Sequence, residues 1–360
     1  QKLSGWNMRS VRLPARVREE HSETAYMTDQ AIRFVERQGE KPWFLHLSYV
    51  KPHWPYMAPA PYHALYGPQH CLPPNRAESE LVDQHPVLAA YRQHEESVSF
   101  SRPEAAATVR PAYMGLIKQI DDHLGRLFAV MQKAGRLDDT LIVFTADHGD
   151  FLGDHWLGEK EIFYEEVVRV PFIVVDPDAA ADNTRGTVDQ HFVEAVDVVP
   201  TCLDALGLPP QRHLIEGRSL LPLTRGVGVP DDLASSKAQS RDDRTGWRDA
   251  VFCELDYSFR EARRILGRHV RDCRAFMVRT DRWKYVWWLD FPPQLFDLEN
   301  DPRELRDLGR DPGHASVRDE MQGRLFDWMR ARKSRVTVDD GFVEARTAAH
   351  KAHGIFFGVW

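Results

Sequence analysis

The chain is organised around residues 140–160, which read TLIVFTADHGDFLGDHWLGEK. Residues 141–144 are apolar and rich in β-branched side chains, the pattern of a strand buried on both faces. The run leads into Asp147 and His148, and in an open α/β sheet ligands gather at the carboxyl ends of strands. A carboxylate oxygen and an imidazole nitrogen suit a divalent ion such as Mn²⁺, Ca²⁺, Mg²⁺ or Zn²⁺ better than a soft metal. Because Gly149 can turn sharply, it would let both side chains reach one ion. The stretch therefore predicts a divalent metal site with Asp147 and His148 as ligands.

The same stretch resembles the metal-binding segment of the alkaline phosphatase superfamily, and in particular its sulfatase and phosphonate monoester hydrolase family. In that family a strand ends in S/T-x-D-H-G, and a catalytic lysine follows at the distance at which Lys160 follows here. A second matching string, P-H-x-P-Y, occupies residues 52–56 after a predicted strand over residues 43–50. The resemblance implies that His53 contacts the anionic group or the leaving oxygen of the substrate. It implies that Lys160 supplies positive charge at the same place.

The resemblance also implies a nucleophile that lies before His53, a Cys or Ser oxidised to formylglycine in a C-x-P-S-R or related motif. Cys71 begins a near match, CLPPNR, but Arg76 lies one position too far and the string follows His53. The chain opens with Gln1 and shows neither an initiator Met nor a signal peptide. We therefore expect a segment of a longer protein, with no nucleophile among these residues and only half of a metal site.

The rhythm of the predicted elements gives the fold class. Alternating strands and helices indicate an α/β domain with a mainly parallel sheet, and the resemblance implies that helices sandwich this sheet, as in alkaline phosphatase. Further on, the predicted strands follow one another at short spacing. The string L-F-D-L-x-x-D-P-x-E at residues 295–304 resembles the sulfatase carboxyl-terminal subdomain, which implies a smaller α+β subdomain of antiparallel strands and a helix. The predicted domain organisation has four parts. Residues 1–225 are the later part of the α/β metallohydrolase domain, and residues 226–247 are a linker or exposed loop. Residues 248–332 form the antiparallel-sheet subdomain, and residues 333–360 form a carboxyl-terminal arm.

Individual elements follow from periodicity and from their end signals. The predicted helices cover residues 22–38, 110–135, 196–206 and 315–332, and further predicted strands cover residues 170–175, 251–255, 275–279 and 283–288. Residues 57–103 are rich in Pro, His and Ser, which predicts a long functional loop with a helical piece near residues 87–93. Asp121, Asp122 and His123 are adjacent on a helix, where neighbouring side chains diverge, so we interpret them as a solvated edge.

The charge balance and the cysteine content of the chain limit the kinds of partner that we expect. With 47 basic and 54 acidic residues the net charge is −7, which argues against a nucleic-acid or anionic-membrane surface as partner. Four scattered cysteines without C-x-x-C spacing suggest reduced thiols and a cytoplasmic location. The aromatic end of the arm predicts a homo-oligomer assembled through residues 333–360. The expected partner at the site is a small anionic ester.

Three functional hypotheses remain. The first is a metal-dependent hydrolase of phosphonate monoesters, phosphate diesters or sulfate esters, with an arylsulfatase proper as its closest variant. The second is a two-zinc phosphodiesterase or pyrophosphatase of the same superfamily, which needs an Asp-x-x-x-His pair before Asp147 and a later metal-binding histidine. The sequence disfavours it, because Gly125 and Arg126 stand where the histidine is required after Asp121 and Asp122. The third is a non-catalytic fragment or pseudoenzyme that acts as a binding or structural module.

Overall fold

The computed structural model describes residues 8, 10–209, 211–227, 246–333 and 336–347. The helices of the first part are α1 (Glu23–Gln38), α2 (Pro86–Tyr91), α3 (Glu95–Ser101), α4 (Pro103–Lys133), α5 (Glu165–Val168), α6 (Val198–Ala205) and α7 (Leu221–Thr224). Its strands are β1 (Ile142–Thr145) and β2 (Phe172–Val175). The second part contains β3 (Val251–Asp256), α8 (Glu261–Ile265), β4 (Arg274–Arg279), β5 (Trp283–Trp288), β6 (Gln294–Asp297), α9 (Ala315–Ala331) and α10 (Asp340–Arg346).

Helix ends follow their local chemistry. The Ser22 hydroxyl accepts a hydrogen bond from Ala25 N at the start of α1, and Gly39 ends this helix with φ 56°. Both signals confirm the prediction. Helix α4 also forms as expected but begins at Pro103, well before the predicted start. The piece expected within residues 57–103 is α2, and α3 is a further helix there that was not predicted.

Strands β1 and β2 form an antiparallel ladder, from Ile142 opposite Val175 to Thr145 opposite Phe172. The predicted alternation favoured parallel neighbours, which require a crossover connection that is usually a helix. Here the chain between the strands returns as a long hairpin, because Gly149 N donates to Val167 O at 2.8 Å and extends the antiparallel pairing. The expected burial of β1 on both faces was wrong as well. Its residue Phe144 is 39% exposed, since β2 is its single partner strand in the described ranges.

Residues 43–50 were predicted to be a strand. They are extended and alternate between half-buried and exposed, but they are not paired with a strand within the described part of the chain. The half-buried side chains Trp43, Leu45 and Leu47 pack against a core that contains Val35 and Met131. The apolar period was therefore identified correctly, whereas the pairing was wrong.

His123 was also misjudged. It is 2% exposed on the inner side of α4, and its Nε2 lies 2.5 Å from Glu19 Oε1. Asp121 and Asp122 are solvent-facing, as expected, and both accept hydrogen bonds from Lys118. The carboxylate that pairs with His123 comes from a segment about a hundred residues earlier, so it gives no local signal.

The carboxyl-terminal strands form one antiparallel sheet in the order β3-β4-β5-β6. Its side chains alternate between two cores, as the period of a strand requires. Val278 and Tyr285 face the core that contains Met321 and Leu325 of α9. On the opposite face, residues of β4 and β5 join the core formed by α2 and residues 151–167. The stretch that carries the predicted site is therefore packed directly on this sheet.

None of the helices in the described residues combines the length and the apolar character that a bilayer crossing needs.

Candidate active site

His53 lies in a turn that its neighbours hold closed. Lys51 Nζ donates hydrogen bonds to His53 O at 3.1 Å and to Pro55 O at 2.8 Å. The His53 ring donates from Nδ1 to Trp54 O at 2.9 Å, because a carbonyl oxygen can only accept. This hydrogen bond leaves Nε2 as an acceptor, and Lys160 Nζ lies 3.2 Å from it. The two predicted catalytic residues are therefore in direct contact, although 107 positions separate them.

Asp147 and His148 lie at the end of β1, beside this pair. His148 Nδ1 donates to Gly149 O at 2.7 Å, so that Nε2 carries the free lone pair. That nitrogen lies 3.4 Å from Asp147 Oδ2, and the Asp147 side chain is 87% exposed. The imidazole rings of His148 and His53 are 6.3 Å apart between centroids. All four predicted site residues thus face one region, with Asp147 joined to it through His148.

Gly149 is required here for a reason other than the predicted sharp turn. Its φ does not lie in the left-handed region; instead an ideal Cβ at this position would meet Glu166 O at 1.9 Å. The chain that leads back to β2 therefore crosses directly over the D-H-G segment. This close approach, together with the bond from Gly149 N to Val167 O, fixes the backbone next to His148.

Lys160 follows a tight hairpin formed by residues 151–159. Its two ladder hydrogen bonds join Phe151 N to Glu159 O at 2.8 Å and Gly153 N to Leu157 O at 3.0 Å. Gly158 lies against α3, where an added Cβ would come within 2.8 Å of the Phe100 ring. Because both the ladder and this contact are tight, the hairpin presents Lys160 from a fixed backbone.

Two glutamates flank Lys160 in the sequence, and both are paired elsewhere. Arg260, the residue before α8, lies 2.8 Å from Glu161 Oε2 and 3.6 Å from Glu159 Oε2. It also pairs with Glu96 at 2.8 Å. One arginine of the carboxyl-terminal part therefore pairs with both carboxylates next to Lys160, whereas the Lys160 ammonium group contacts His53.

Two residues of the site were missed although they lie inside the quoted strings. Tyr56 is 1% exposed, and its hydroxyl donates to Asp150 Oδ2 at 2.7 Å. The Asp150 carboxylate is closely surrounded by protein although the residue as a whole is half-buried, and this desolvation raises its pKa to about 7. Burial, and then the Asp150 carboxylate, also raise the pKa of Tyr56. The bond ties the turn of His53 to the D-H-G segment.

The near match at Cys71 has a structural role. Cys71 lies with Sγ 3.4 Å from Met114 Sδ, and burial raises the pKa of its thiol. Asn75 and Arg76 contact the hairpin: Asn75 O accepts from His155 N at 2.8 Å, and the Arg76 guanidinium lies 4.1 Å above the Trp156 ring. These contacts agree with the interpretation that this string does not supply the nucleophile.

The donor atoms of Asp147 and His148 can be tested against a divalent ion. A hard carboxylate oxygen and an imidazole Nε2, oriented by its Nδ1 hydrogen bond, are suitable ligands and lie close together. Across the described residues, however, no group of three or more His, Cys, Asp or Glu side chains could hold a metal ion. The two donors therefore fit as part of a ligand set, because a complete site needs four or more ligands.

Two family models and several known proteins match this chain. Residues 2–208 match the sulfatase family model, and residues 153–331 match the model for the carboxyl-terminal part of N-sulphoglucosamine sulphohydrolase. The chain is 36% identical over 328 residues to the multifunctional alkaline phosphatase superfamily protein PehA of Trinickia caryophylli, which covers 87% of this chain and 60% of that protein. It is 29% identical to the choline-sulfatase of Rhizobium meliloti, over 81% of this chain and 51% of the relative.

Solved structures of phosphonate monoester hydrolases are also similar to this chain. The phosphonate monoester hydrolase SpPMH of Silicibacter pomeroyi superposes with a TM-score of 0.78 at 30% identity, over 91% of this chain and 64% of its own. The corresponding enzyme of Agrobacterium radiobacter gives a TM-score of 0.77 at 30% identity, over 89% and 63%. These neighbours confirm the α/β, alkaline phosphatase-like fold with its smaller carboxyl-terminal subdomain.

The chain spans between about half and two thirds of the length of these relatives. A family model covers more than half of the chain, over both the turn of His53 and the hairpin of Lys160. The chain therefore belongs to the sulfatase family of the alkaline phosphatase superfamily.

Proposed function

We propose that the natural protein is a metal-dependent hydrolase of phosphonate monoesters, phosphate diesters or sulfate esters. The observation that carries this proposal is the contact between His53 Nε2 and Lys160 Nζ at 3.2 Å, beside the imidazole of His148. A binding module has no need to bring two imidazoles and an ammonium group together at the ends of distant segments. The names of the relatives, which include sulfatases and phosphonate monoester hydrolases, support the same class of small anionic ester as substrate.

Lys160 and His53 would act on the transferred group and the leaving oxygen. An ammonium group has three donors, and the hydrogen bond to His53 uses one of them. The other two can reach oxygen atoms of an anionic ester, which stabilises charge as it develops. A proton that passes from Lys160 to His53 Nε2 gives an N–H that donates to the leaving oxygen. Lys51 holds the turn of His53, so the imidazole is oriented before the substrate arrives.

Asp147 and His148 would hold the divalent ion together with ligands from outside the described residues. When bound, such an ion lowers the pKa of the nucleophile and withdraws charge from the transferred group. The nucleophile of this proposal is a formylglycine-type group upstream of this chain. The choice among Mn²⁺, Ca²⁺, Mg²⁺ and Zn²⁺ follows from metal analysis of the natural protein.

The test uses the natural protein with three probe esters: 4-nitrophenyl phenylphosphonate, bis(4-nitrophenyl) phosphate and 4-nitrophenyl sulfate. We expect hydrolysis of at least one, bound divalent metal, and an intact mass that shows a Cys or Ser converted to formylglycine. Lys160→Ala should lower kcat about 10²–10³-fold, the usual loss for one donor to a developing anion. Lys133→Ala, which removes an exposed lysine of α4, should leave kcat unchanged. A protein without metal that hydrolyses none of the esters would instead support the non-catalytic module.

A homo-oligomer built through residues 333–360 and a cytoplasmic location complete the proposal. Most of that arm lies outside the described residues, apart from α10. Light scattering on the natural protein, with and without residues 348–360, tests the first point. An unchanged mass per particle would contradict assembly through this end.

A further inference from the structure

The tip of the hairpin that carries Lys160 is inserted into the protein. His155 is fully buried at this tip, with φ 51°. Its backbone N–H donates to Asn75 O at 2.8 Å, and its carbonyl accepts from Arg92 Nε at 3.1 Å. The next residue, Trp156, donates from Nε1 to Ala77 O at 3.0 Å. The proposed function uses none of these groups, yet they hold the element that presents Lys160.

The hydrogen bonds around the His155 ring determine its protonation. Nδ1 lies 2.7 Å from Glu80 Oε1, and since a carboxylate accepts, Nδ1 carries a hydrogen. Nε2 lies 3.3 Å from both Glu166 Oε2 and Asn75 Nδ2. Arg303 Nε donates to Asn75 Oδ1 at 2.8 Å, which fixes the orientation of this amide. The amide nitrogen then donates both of its hydrogens elsewhere, to Glu166 Oε1 at 2.7 Å and to Arg303 O at 3.0 Å.

Asn75 therefore has no hydrogen left for His155 Nε2, and that nitrogen has to carry its own hydrogen and donate it to Glu166. With hydrogens on both nitrogens, His155 is an imidazolium. Its positive charge also balances the cluster. Glu80 and Glu166 contribute two negative charges, and Arg92, 3.6 Å from Glu80, contributes the second positive charge.

The remaining surroundings agree with a cation. Tyr164 stacks on the His155 ring at 3.7 Å with an interplanar angle of 10°, an arrangement that favours positive charge over an aromatic face. Burial alone would lower the pKa of His155, but the hydrogen bonds to Glu166 and Glu80 outweigh it and raise the pKa to about 9. Burial would likewise raise the pKa of Glu166, whereas the hydrogen bond with His155 lowers it to about 2.

This cluster reaches both halves of the candidate active site. His155 holds the hairpin whose ladder ends next to Lys160. Its partner Glu166 also provides the backbone carbonyl that lies against Gly149, next to His148. A movement of Glu166 or of the hairpin tip therefore changes the distance between Lys160 and the other site residues.

We propose that His155 is a positioning residue, held as a buried imidazolium between Glu80 and Glu166, which fixes the hairpin that presents Lys160 to His53. The proposal rests on the proposed function of this site. Loss of the His155 proton leaves the carboxylates of Glu80 and of the half-buried Glu166 opposite the cation Arg92, and the tip then loosens. Activity should accordingly fall at alkaline pH when His155 becomes neutral.

The first test is the protonation state itself, read by NMR of the natural protein labelled with ¹⁵N-histidine. The signal is assigned with His155→Gln. Both ring nitrogens of His155 should remain protonated at pH 8. His85 is a matched control, because it is also buried but burial lowers its pKa to about 4; it should be neutral at the same pH. A His155 that is neutral at pH 7 overturns the proposal and leaves the proposed function intact.

The second test separates positioning from general stability. In Glu166→Gln the imidazolium loses one of its two carboxylates, so the alkaline limb of kcat/KM should move to lower pH by at least one unit. His85→Gln should leave the limb in place. A uniform loss of activity at all pH values in Glu166→Gln, with the limb unmoved, overturns the proposal. If the natural protein hydrolyses none of the esters, the proposed function fails. Amide exchange of residues 151–160, compared between wild type and Glu166→Gln at pH 8, then decides the role of His155: unchanged protection refutes it.

Discussion

Gly149→Ala tests whether the close crossing beside His148 controls the site. The new Cβ would lie 1.9 Å from Glu166 O, whereas real Cβ contacts are not shorter than 3.0 Å. The two segments must therefore separate by at least 1.1 Å, the difference between these values. Overpacking of this kind costs about 1–3 kcal/mol, and loss of the bond from Gly149 N to Val167 O adds about 1 kcal/mol. We expect the free energy of unfolding to fall by about 2–4 kcal/mol.

The effect on catalysis should be larger than the effect on folding suggests. A displacement of about 1 Å in a catalytic group costs on the order of 10²-fold in rate, so kcat/KM for the best probe ester should fall by about that factor. Urea denaturation and steady-state kinetics measure the two quantities.

The matched control is Gly125→Ala, on the exposed side of α4, where an added Cβ meets nothing within 4 Å. It should raise stability by about 0.5–1 kcal/mol and leave the kinetics unchanged. Wild-type kinetics in Gly149→Ala would refute the reasoning.

Three further outcomes are expected. Lys284 is fully buried between Glu165 at 2.8 Å and Glu304 at 2.7 Å. Lys284→Met should therefore lower the free energy of unfolding by about 3–5 kcal/mol, and adding Glu304→Gln should recover part of this loss. A loss below about 1 kcal/mol in urea denaturation would contradict the prediction. The raised pKa of His155 implies a contribution to stability that is fully present below about pH 6.5 and is lost as the pH rises through about 9. This contribution amounts to roughly 3 kcal/mol. The free energy of unfolding of His155→Gln should therefore depend less on pH over that window than that of the wild type, and an equal dependence would contradict the prediction. Chelation of divalent metal from the natural protein should abolish ester hydrolysis, and re-addition of one metal should restore it; hydrolysis that survives complete chelation would exclude the metal-dependent mechanism.

The sequence predicted best those features whose causes are local. The Ser22 cap and Gly39 end of α1 depend on a few adjacent residues, and both were identified. Strands β3, β4 and β5 were also found nearly to the residue, because their alternating residues give a local signal and each strand pairs with its neighbour in the chain. The family strings brought His53 and Lys160 together before any distance was known.

The features that were missed depend on partners far away in the chain. The side chains of residues 43–50 alternate between apolar and polar as in a strand, but this alternation does not show which segment, if any, pairs with them through hydrogen bonds. His123 looked like part of a solvated edge because Glu19, which pairs with it, belongs to another segment. His155 likewise carries no local signal of its role, because its partner Glu80 lies 75 residues before it. Local patterns describe an element, whereas these pairings are properties of the folded chain.

The ionic cluster around His155 also restricts how this hairpin can change during evolution. Replacing any one of Glu80, His155 or Glu166 leaves an uncompensated charge in the interior, a change that is strongly destabilising. A well-packed apolar group in place of these three residues and Arg92 could be as stable as the charged cluster. Single substitutions do not lead easily from one to the other, because each one disturbs the balance of two carboxylates and two cations. The four residues should therefore be inherited together or be replaced together.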